Sequence, residues 1–235
     1  MKKHSKDKCC AYDGSKFRLT ANPHNELELL IIEAFKFDKS LQERLEFEDS
    51  NQTFHANEWC IGQHIEEGVE YIRRMAARYE GWKRDEPLLV PVCLLHDICK
   101  ADEKFYGHDR ERNPETHHAV LAYELAQVLL DIDNGNVLKL VKHHDDHYRL
   151  YRDREFFPGK KIINLFKNNF QDFNEIEMET LIRFGFVDRY RRKPKDKRDL
   201  VRYNDLKKIY KKETNWFMEI AKKSHLVDKH FIVFS

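Results

Sequence analysis

Histidine and aspartate side chains are concentrated in the middle of the chain, where imidazole and carboxylate groups could share a metal ion. Eight of the thirteen histidines lie between His64 and His147. Such mixed ligands suit iron, manganese, cobalt, nickel, zinc and similar divalent ions. The most informative pair is His96-Asp97, which directly follows the apolar run 88–95. Because a buried charge needs a partner or a metal, this pair predicts a metal site.

Further candidate ligands occur on other predicted helices or at their ends, and packed helices can point such groups at one centre. Each has an ordinary alternative: His64 as a boundary histidine, His143-His144 as a polar helix end, and Asp188 as a surface ion-pairing residue. Their joint occurrence along one chain favours metal binding. The candidate metal ligands are His64, His96, Asp97, His118, His143, His144 and Asp188.

The elements that must position these residues are predicted to be helices. The chain has 8 Gly and 6 Pro and almost no alternating apolar pattern, so helix is favoured along most of it. Apolar spacing predicts helices over about 25–47, 57–79, 88–100, 159–169, 175–191 and 199–224, with others after Pro114 and through 137–141. Gly81 and Pro87 predict a break. The last residues, 231–234, predict a short strand or a docked tail.

The overall composition narrows the class of protein. A net charge of +1, from 42 basic and 41 acidic residues, does not favour tight non-specific nucleic-acid binding. Five cysteines without CxxC spacing form neither a disulfide framework nor a zinc finger, and Cys93 and Cys99 are predicted to be buried thiols. No apolar run approaches the roughly 20 residues of a membrane-spanning helix, and no signal-peptide pattern is found. We therefore expect a cytoplasmic protein without membrane contact.

The order of the candidate ligands resembles the signature of the HD phosphohydrolase superfamily: His, then His-Asp, then two further His positions, then Asp. Residues 94–100, Leu-Leu-His-Asp-Ile-Cys-Lys, are similar to its central motif. Cys99 departs from that motif, which usually has Gly there. Similar elements surround His64, His118, His143-His144 and Asp188, and the resemblance covers about residues 57 to 192.

The resemblance implies an all-α HD-domain helical bundle of seven or more helices that binds divalent metal ions and hydrolyses phosphoesters. The minimal site of the family would be His64, His96, Asp97 and Asp188. With His118 and one or both of His143 and His144, the site resembles members that bind two ions, which Asp97 would bridge. The ions expected are Mn, Fe, Co, Ni, Zn or Mg, and a two-metal site clamps phosphate oxygens and activates water. His117 is the less expected ligand of its pair.

Asp97 and Lys100 are the expected catalytic residues. Lys100 lies one helical turn after His96 and is expected to hold a substrate phosphate. Arg110, Arg112 and Arg189 are further candidates for phosphate binding, since guanidinium groups bind phosphate well, although a charge run is usually a solvated face. The expected substrate is a nucleotide or a nucleic-acid-derived phosphoester, either a small molecule or an RNA end. The sequence does not separate a monoester from a cyclic diester.

Two alternatives remain open at this level. The same ligand order occurs in iron-dependent HD-type oxygenases. A nonenzymatic role is the other, because the basic segment 189–202 is a candidate RNA-binding or protein-binding surface. The expected organisation is an N-terminal arm over 1–22, a helical elaboration over 23–56, an HD core over 57–192, and a C-terminal helix and tail over 193–235. The oligomeric state is left open.

Overall fold

The protein is an all-helical bundle. The structure is a computed structural model that describes residues 23–47, 60–102, 117–128, 130–188 and 197–235. Every regular element in these residues is a helix, which confirms the predicted all-α class. The helices are α1 Glu26–Phe37, α2 Lys39–Leu45, α3 Ile61–Ala76, α4 Glu80–Leu95, α5 His118–Val128, α6 Gly135–His143, α7 Asp146–Asp153, α8 Lys160–Asn169, α9 Glu175–Val187 and α10 Lys197–Lys223.

The first predicted helix, 25–47, is two helices. Asn25 caps α1 as expected, and its side chain accepts a hydrogen bond from Glu28 N at 2.8 Å. Asp38 then ends α1 and begins α2, because its carboxylate accepts hydrogen bonds from Ser40 N at 2.8 Å and Leu41 N at 3.1 Å. A side chain that satisfies these first amide groups lets the chain restart a helix in a new direction.

Helix α3 packs along α4 through its predicted apolar stripe, in which Ile65, Val69 and Ile72 are fully buried. The two helices approach closely at Gly68, where an added Cβ would lie 2.6 Å from Cys93 Sγ. This close contact brings the N-terminal half of α3, which carries His64, beside the C-terminal end of α4. The position of one candidate ligand therefore depends on the absence of a side chain at Gly68.

Helix α4 corrects two predictions. The expected break at Gly81 and Pro87 does not occur, since a single helix runs through Pro87 and Pro91. Its residues 89–95 are all buried, and tertiary packing of this kind outweighs the cost of internal proline. The helix also ends at Leu95 rather than continuing to Lys100, so His96-Asp97 lies in the turn that follows it. That turn places both side chains inside the bundle.

The C-terminal residues form a docked tail, not a strand. Trp82 Nε1 on α4 donates to Val233 O at 2.8 Å, and Gly81 N donates to Ser235 O at 3.0 Å. An added Cβ at Gly81 would collide with the guanidinium of Arg183 on α9. Gly81 is therefore a point of close approach between α4, α9 and the tail, which explains why a residue without a side chain stands there.

A buried ion network joins α4 to α9 beneath this tail. Arg183 is 1% exposed and donates hydrogen bonds to Asp85 and to Glu179, the latter at 3.4 Å. Arg84 bonds the same two carboxylates, at 2.7 Å to Asp85 and 2.5 Å to Glu179. The guanidinium of Arg183 also lies over the ring of Phe231, 4.9 Å from its centroid. Every charge in this network has a partner of opposite sign.

The remaining helices complete the walls of the bundle. Helix α7 was not predicted; the two-residue turn His144-Asp145 separates it from α6. Asn174 and Glu177 form a capping box that begins α9, and α9 ends at Val187 with Asp188 as its C-cap. Among the described residues, none of the helices combines the length and apolar character needed to cross a bilayer.

The buried network should contribute far more to stability than an exposed ion pair. Asp85→Ala leaves Arg183 buried without its nearest carboxylate, and we expect a loss of about 3–5 kcal/mol in the free energy of unfolding. Glu43→Ala removes an exposed pair with Lys39 on α2 and should cost about 0.5 kcal/mol. Urea denaturation of the two variants measures both values. Losses of equal size would contradict the structural role of the network.

Candidate metal centre

Four buried side chains from three elements meet at the centre of the bundle. His64 comes from α3, His96 and Asp97 from the turn after α4, and Asp188 from the C-cap of α9. Their exposed fractions are 5%, 0%, 2% and 9%, in that order. His96 Nε2 lies 3.3 Å from Asp97 Oδ2 and 3.2 Å from Asp188 Oδ1. These four residues, the first group below, could hold a metal ion.

A second group shares Asp97 with the first. His118 begins α5 and His144 is the C-cap of α6, and both are 1% exposed. Their Nε2 atoms lie 3.1 Å apart and are 3.4 Å and 3.6 Å from Asp97 Oδ1. Asp97 thus turns one oxygen to each group. Its Oδ1 is fully buried, and no residue in the described ranges donates a hydrogen bond to it.

Backbone carbonyls hold two of the imidazoles in the form that binds metal. His96 Nδ1 lies 2.9 Å from Cys93 O, and His144 Nδ1 lies 2.8 Å from Val141 O. Because a carbonyl oxygen only accepts, each Nδ1 carries a hydrogen and, in the neutral ring, each Nε2 presents a lone pair. Metal-binding histidines in proteins are oriented by contacts of this kind.

The spacing of the donor atoms fits metal ions. At a metal–ligand distance of about 2.1 Å, neighbouring ligand atoms lie about 3.0 Å apart in an octahedral site and about 3.4 Å apart in a tetrahedral one. In the first group, the separations that involve a histidine nitrogen are 3.2 to 3.6 Å. In the second group they are 3.1 to 3.6 Å. A histidine nitrogen at these separations can donate a hydrogen bond to the carboxylate when it is protonated, and can share a metal ion with it when it is not.

The electrostatics of the centre favour ionised carboxylates. Burial alone would raise the pKa values of Asp97 and Asp188, but neighbouring positive charge outweighs it. The charges on His96 and Lys100 lower the pKa of Asp97 most. The hydrogen bonds from His64 and His96 lower the pKa of Asp188 most. Both pKa values lie well below the usual range. Burial likewise lowers the pKa of His96, but Asp97 and Asp188 outweigh it and the net shift is upward. Both carboxylates therefore remain negative at neutral pH.

Lys100 lies at the edge of the first group. Its Nζ is 2.5 Å from Asp97 Oδ2, and its side chain is 10% exposed. Burial would lower its pKa, but the carboxylates of Asp97, Asp188 and Asp145 outweigh this effect and raise it. The ammonium group therefore stays charged beside the candidate metal centre.

Of the two adjacent histidines at the end of α6, the structure brings only His144 to the centre. His143 was also predicted as a ligand, but its Nδ1 lies 2.6 Å from Asp146 Oδ2, and its ring packs edge-on against Phe173. Successive residues of a helix point about 100° apart, so one member of the pair faces inward and the other outward. Arg110, Arg112 and Arg189 lie outside the described residues, and their phosphate-binding roles stay predictions.

Two further residues lie beside the centre: Asp145, which the sequence analysis missed, and His117, the less expected ligand of its pair. Asp145 Oδ2 lies 3.4 Å from His118 Nε2, and His117 Nε2 lies 3.6 Å from the same oxygen. His117, His118 and Asp145 form a further group that could hold a metal ion. The signal in the sequence for Asp145 was adjacency, since it directly follows the predicted ligand His144.

The cysteines near the centre are buried thiols, as expected. Cys93 and Cys99 are each 1% exposed. Burial raises the pKa of the Cys93 thiol well above its ordinary value and raises that of Cys99 to about 12. Cys99, which stands where Gly is usual, is accommodated in the turn, where Arg44 Nη1 lies 3.6 Å from its Sγ.

Comparison with known proteins gives one match. The family model described as HD domain matches residues 61–183, a little over half of the chain. This range includes five of the six residues of the first and second groups, and Asp188 lies just beyond it. No curated protein matches the chain, and no solved structure does.

The adjacent histidines of α6 provide a matched test of metal binding. Adding Ni²⁺ or Mn²⁺ to chelator-treated wild-type protein should stabilise it by about 2.7 kcal/mol per ion at a metal concentration 100 times the Kd. His144→Gln should lose the part of this stabilisation that comes from the second group, whereas His143→Gln should keep all of it. Thermal denaturation with isothermal titration calorimetry measures the difference. Equal effects of the two variants would contradict the assignment of His144.

Proposed function

The chain belongs to the HD domain family, and from this we propose that it is a metal-dependent phosphohydrolase that acts on a nucleotide or nucleic-acid-derived phosphoester. The observation that carries the proposal is the position of Asp97. This one buried carboxylate directs Oδ2 to His64 and His96 and Oδ1 to His118 and His144. A carboxylate placed in this way suits two ions that share a ligand.

The residues divide into two ligand sets. His64, His96 and Asp188 would hold one ion, His118 and His144 would hold a second, and Asp97 would contact both. Divalent ions in such a site neutralise phosphate oxygens and make water nucleophilic near neutral pH. The structure supports this division because the donor separations fit metal coordination in both groups.

The protein's own residues would prepare the site for this chemistry. The carbonyls of Cys93 and Val141 keep the Nε2 lone pairs of His96 and His144 directed inward. Phe184 on α9 packs edge-on against both rings, with centroid distances of 5.1 Å and 6.2 Å. This apolar contact excludes water from the inner side of the centre and strengthens the electrostatic interactions there.

Lys100 is the proposed contact for the phosphate of the substrate. Among the ion pairs seen for Asp97 in the described residues, the one with Lys100 is the shortest. A charged ammonium at this place would bind and orient a phosphate oxygen beside the ions, and its raised pKa keeps it protonated throughout the neutral range. The substrate class itself rests on the resemblance, because nucleotides are the commonest substrates of HD proteins.

A phosphoesterase screen tests the proposed reaction. Purified protein loaded in turn with Mn²⁺, Co²⁺, Ni²⁺, Zn²⁺, Fe²⁺ or Mg²⁺ is incubated with nucleotides, 2′,3′-cyclic nucleotides and a generic aryl phosphate. We expect metal-dependent hydrolysis with at least one pairing, seen as inorganic phosphate from a monoester or as a nucleoside monophosphate from a 2′,3′-cyclic nucleotide, and its loss in Asp97→Ala because that residue is common to both groups. His143→Gln is the matched control and should retain turnover.

Three results would contradict the proposal. The first is the absence of turnover with every metal and substrate. The second is turnover that survives in Asp97→Ala. The third is oxygen consumption by the iron-loaded protein without hydrolysis of any phosphoester, which would favour the oxygenase alternative.

Replacement of Lys100 by methionine separates substrate binding from metal binding. Lys100→Met keeps the length of the side chain and removes its charge, so we expect kcat/KM to fall roughly 10- to 100-fold, the worth of one charge-assisted hydrogen bond. Lys83→Met, at an exposed position on α4, is the control and should leave kcat/KM unchanged. Metal content by mass spectrometry should match wild type in both. A Lys100→Met variant with normal kinetics would remove Lys100 from the proposed site.

A further inference from the structure

Asp145 lies against the two histidines of the second group. Its Oδ2 is 3.4 Å from His118 Nε2, and its Oδ1 is 3.8 Å from His144 Nε2. The same two nitrogens lie 3.4 Å and 3.6 Å from Asp97 Oδ1. Each of the two imidazole nitrogens therefore lies within 3.8 Å of both carboxylates.

The backbone places Asp145 there at the cost of a more usual interaction. Helix α6 ends at His143 and α7 begins at Asp146, so Asp145 occupies the N-cap position of α7. An N-cap aspartate ordinarily accepts a hydrogen bond from the first amide groups of its helix, as Asp38 does for α2. The side chain of Asp145 makes no such bond. Its backbone is in the αR region rather than extended, and its carboxylate oxygens lie near His118 and His144.

His117 supports the carboxylate of Asp145 from the other side. Ala119 N donates to His117 Nδ1 at 3.2 Å, so in the neutral ring the hydrogen is on Nε2. That Nε2 lies 3.6 Å from Asp145 Oδ2. This separation is that of an ion-pair contact, and polar neighbours of a metal-binding carboxylate help to orient it.

From these contacts we propose that Asp145 is the fourth protein ligand of the second metal ion, and that His117 is a positioning residue for it. The inference rests on the proposed function in one respect, since it presupposes that an ion binds between His118 and His144. With Asp97, the set would comprise two imidazole nitrogens and two carboxylate oxygens. Such a set suits Mn²⁺, Fe²⁺, Co²⁺ or Zn²⁺.

The next residue, Asp146, provides a matched comparison. Its carboxylate accepts from His143 Nδ1 at 2.6 Å and pairs with Arg149 at 2.9 Å. It belongs to none of the groups that could hold a metal ion. The two neighbouring aspartates thus have different partners, and Asp145 is the one that lies near the imidazoles of His118 and His144.

Metal binding by Asp145→Asn and Asp146→Asn tests the proposal. Full-length protein is stripped with chelator and titrated with Mn²⁺ or Zn²⁺, with stoichiometry by mass spectrometry and affinity by calorimetry. Wild type should bind two ions. Asp145→Asn should bind one ion with unchanged affinity and the other at least 10-fold more weakly, while Asp146→Asn should bind both like wild type.

The position of His117 is tested in the same way. His117→Ala should weaken the same single ion by about 10-fold and leave the other unchanged. His117→Gln retains a side-chain donor and should recover most of the affinity. A purely structural role would instead affect both ions or neither, and circular dichroism confirms that each variant is folded.

The outcomes separate this inference from the proposed function. If wild type binds no divalent ion, the proposed metal-dependent function fails together with the inference. If wild type binds two ions and Asp145→Asn keeps both at wild-type affinity, only the inference is overturned. Equal weakening by Asp145→Asn and Asp146→Asn would also overturn it, because the effect would then come from lost charge alone.

Discussion

The ionised carboxylate of Asp97, held almost fully out of water, is the constraint on which the rest of the structure depends. Removing such a charge from water is strongly unfavourable unless other charges or donors surround it. In this protein four imidazoles and the ammonium of Lys100 meet that requirement. His64 lies on α3 and His118 on α5, and His96 and His144 directly follow α4 and α6. Four helices of the bundle are therefore arranged around one side chain.

Helix α4 connects this centre to a second buried charge network of a different kind. Near its N-terminal end, Asp85 is matched by the guanidinium groups of Arg84 and Arg183. Those interactions are complete within the protein, and their role is to fix α4 against α9 and the tail. Beyond its C-terminal end, the histidine nitrogens and the Asp97 oxygen of the second group lie 3.1 to 3.6 Å apart. The first arrangement is complete without an added ion, whereas the second has donor atoms at a spacing that could hold a metal ion.

The candidate ligands on long apolar patterns could be predicted from the sequence, because burial of a polar residue is visible in its neighbours. His64 on the stripe of α3 and His96-Asp97 after an apolar run are examples. Helix ends were harder to predict. The length of α4 depends on packing that overrides Pro87, and the break at Asp38 depends on one cap. The network of Arg183 with Asp85 was also missed, since the two residues are far apart in sequence.

Three pairs of adjacent residues show where the difficulty of predicting helix ends affects the assignment of the site. His117-His118, His143-His144 and Asp145-Asp146 each contain one residue that contacts the second group and a neighbour with another task. Which member faces inward is decided by the residue at which a helix ends, and a shift of one position would exchange them. Because α6 ends at His143 and α7 begins at Asp146, the turn between them turns His144 and Asp145 together toward His118. No apolar periodicity in the sequence indicated that α6 and α7 are separate helices. Their separation is the feature that brings His144 and Asp145 beside His118.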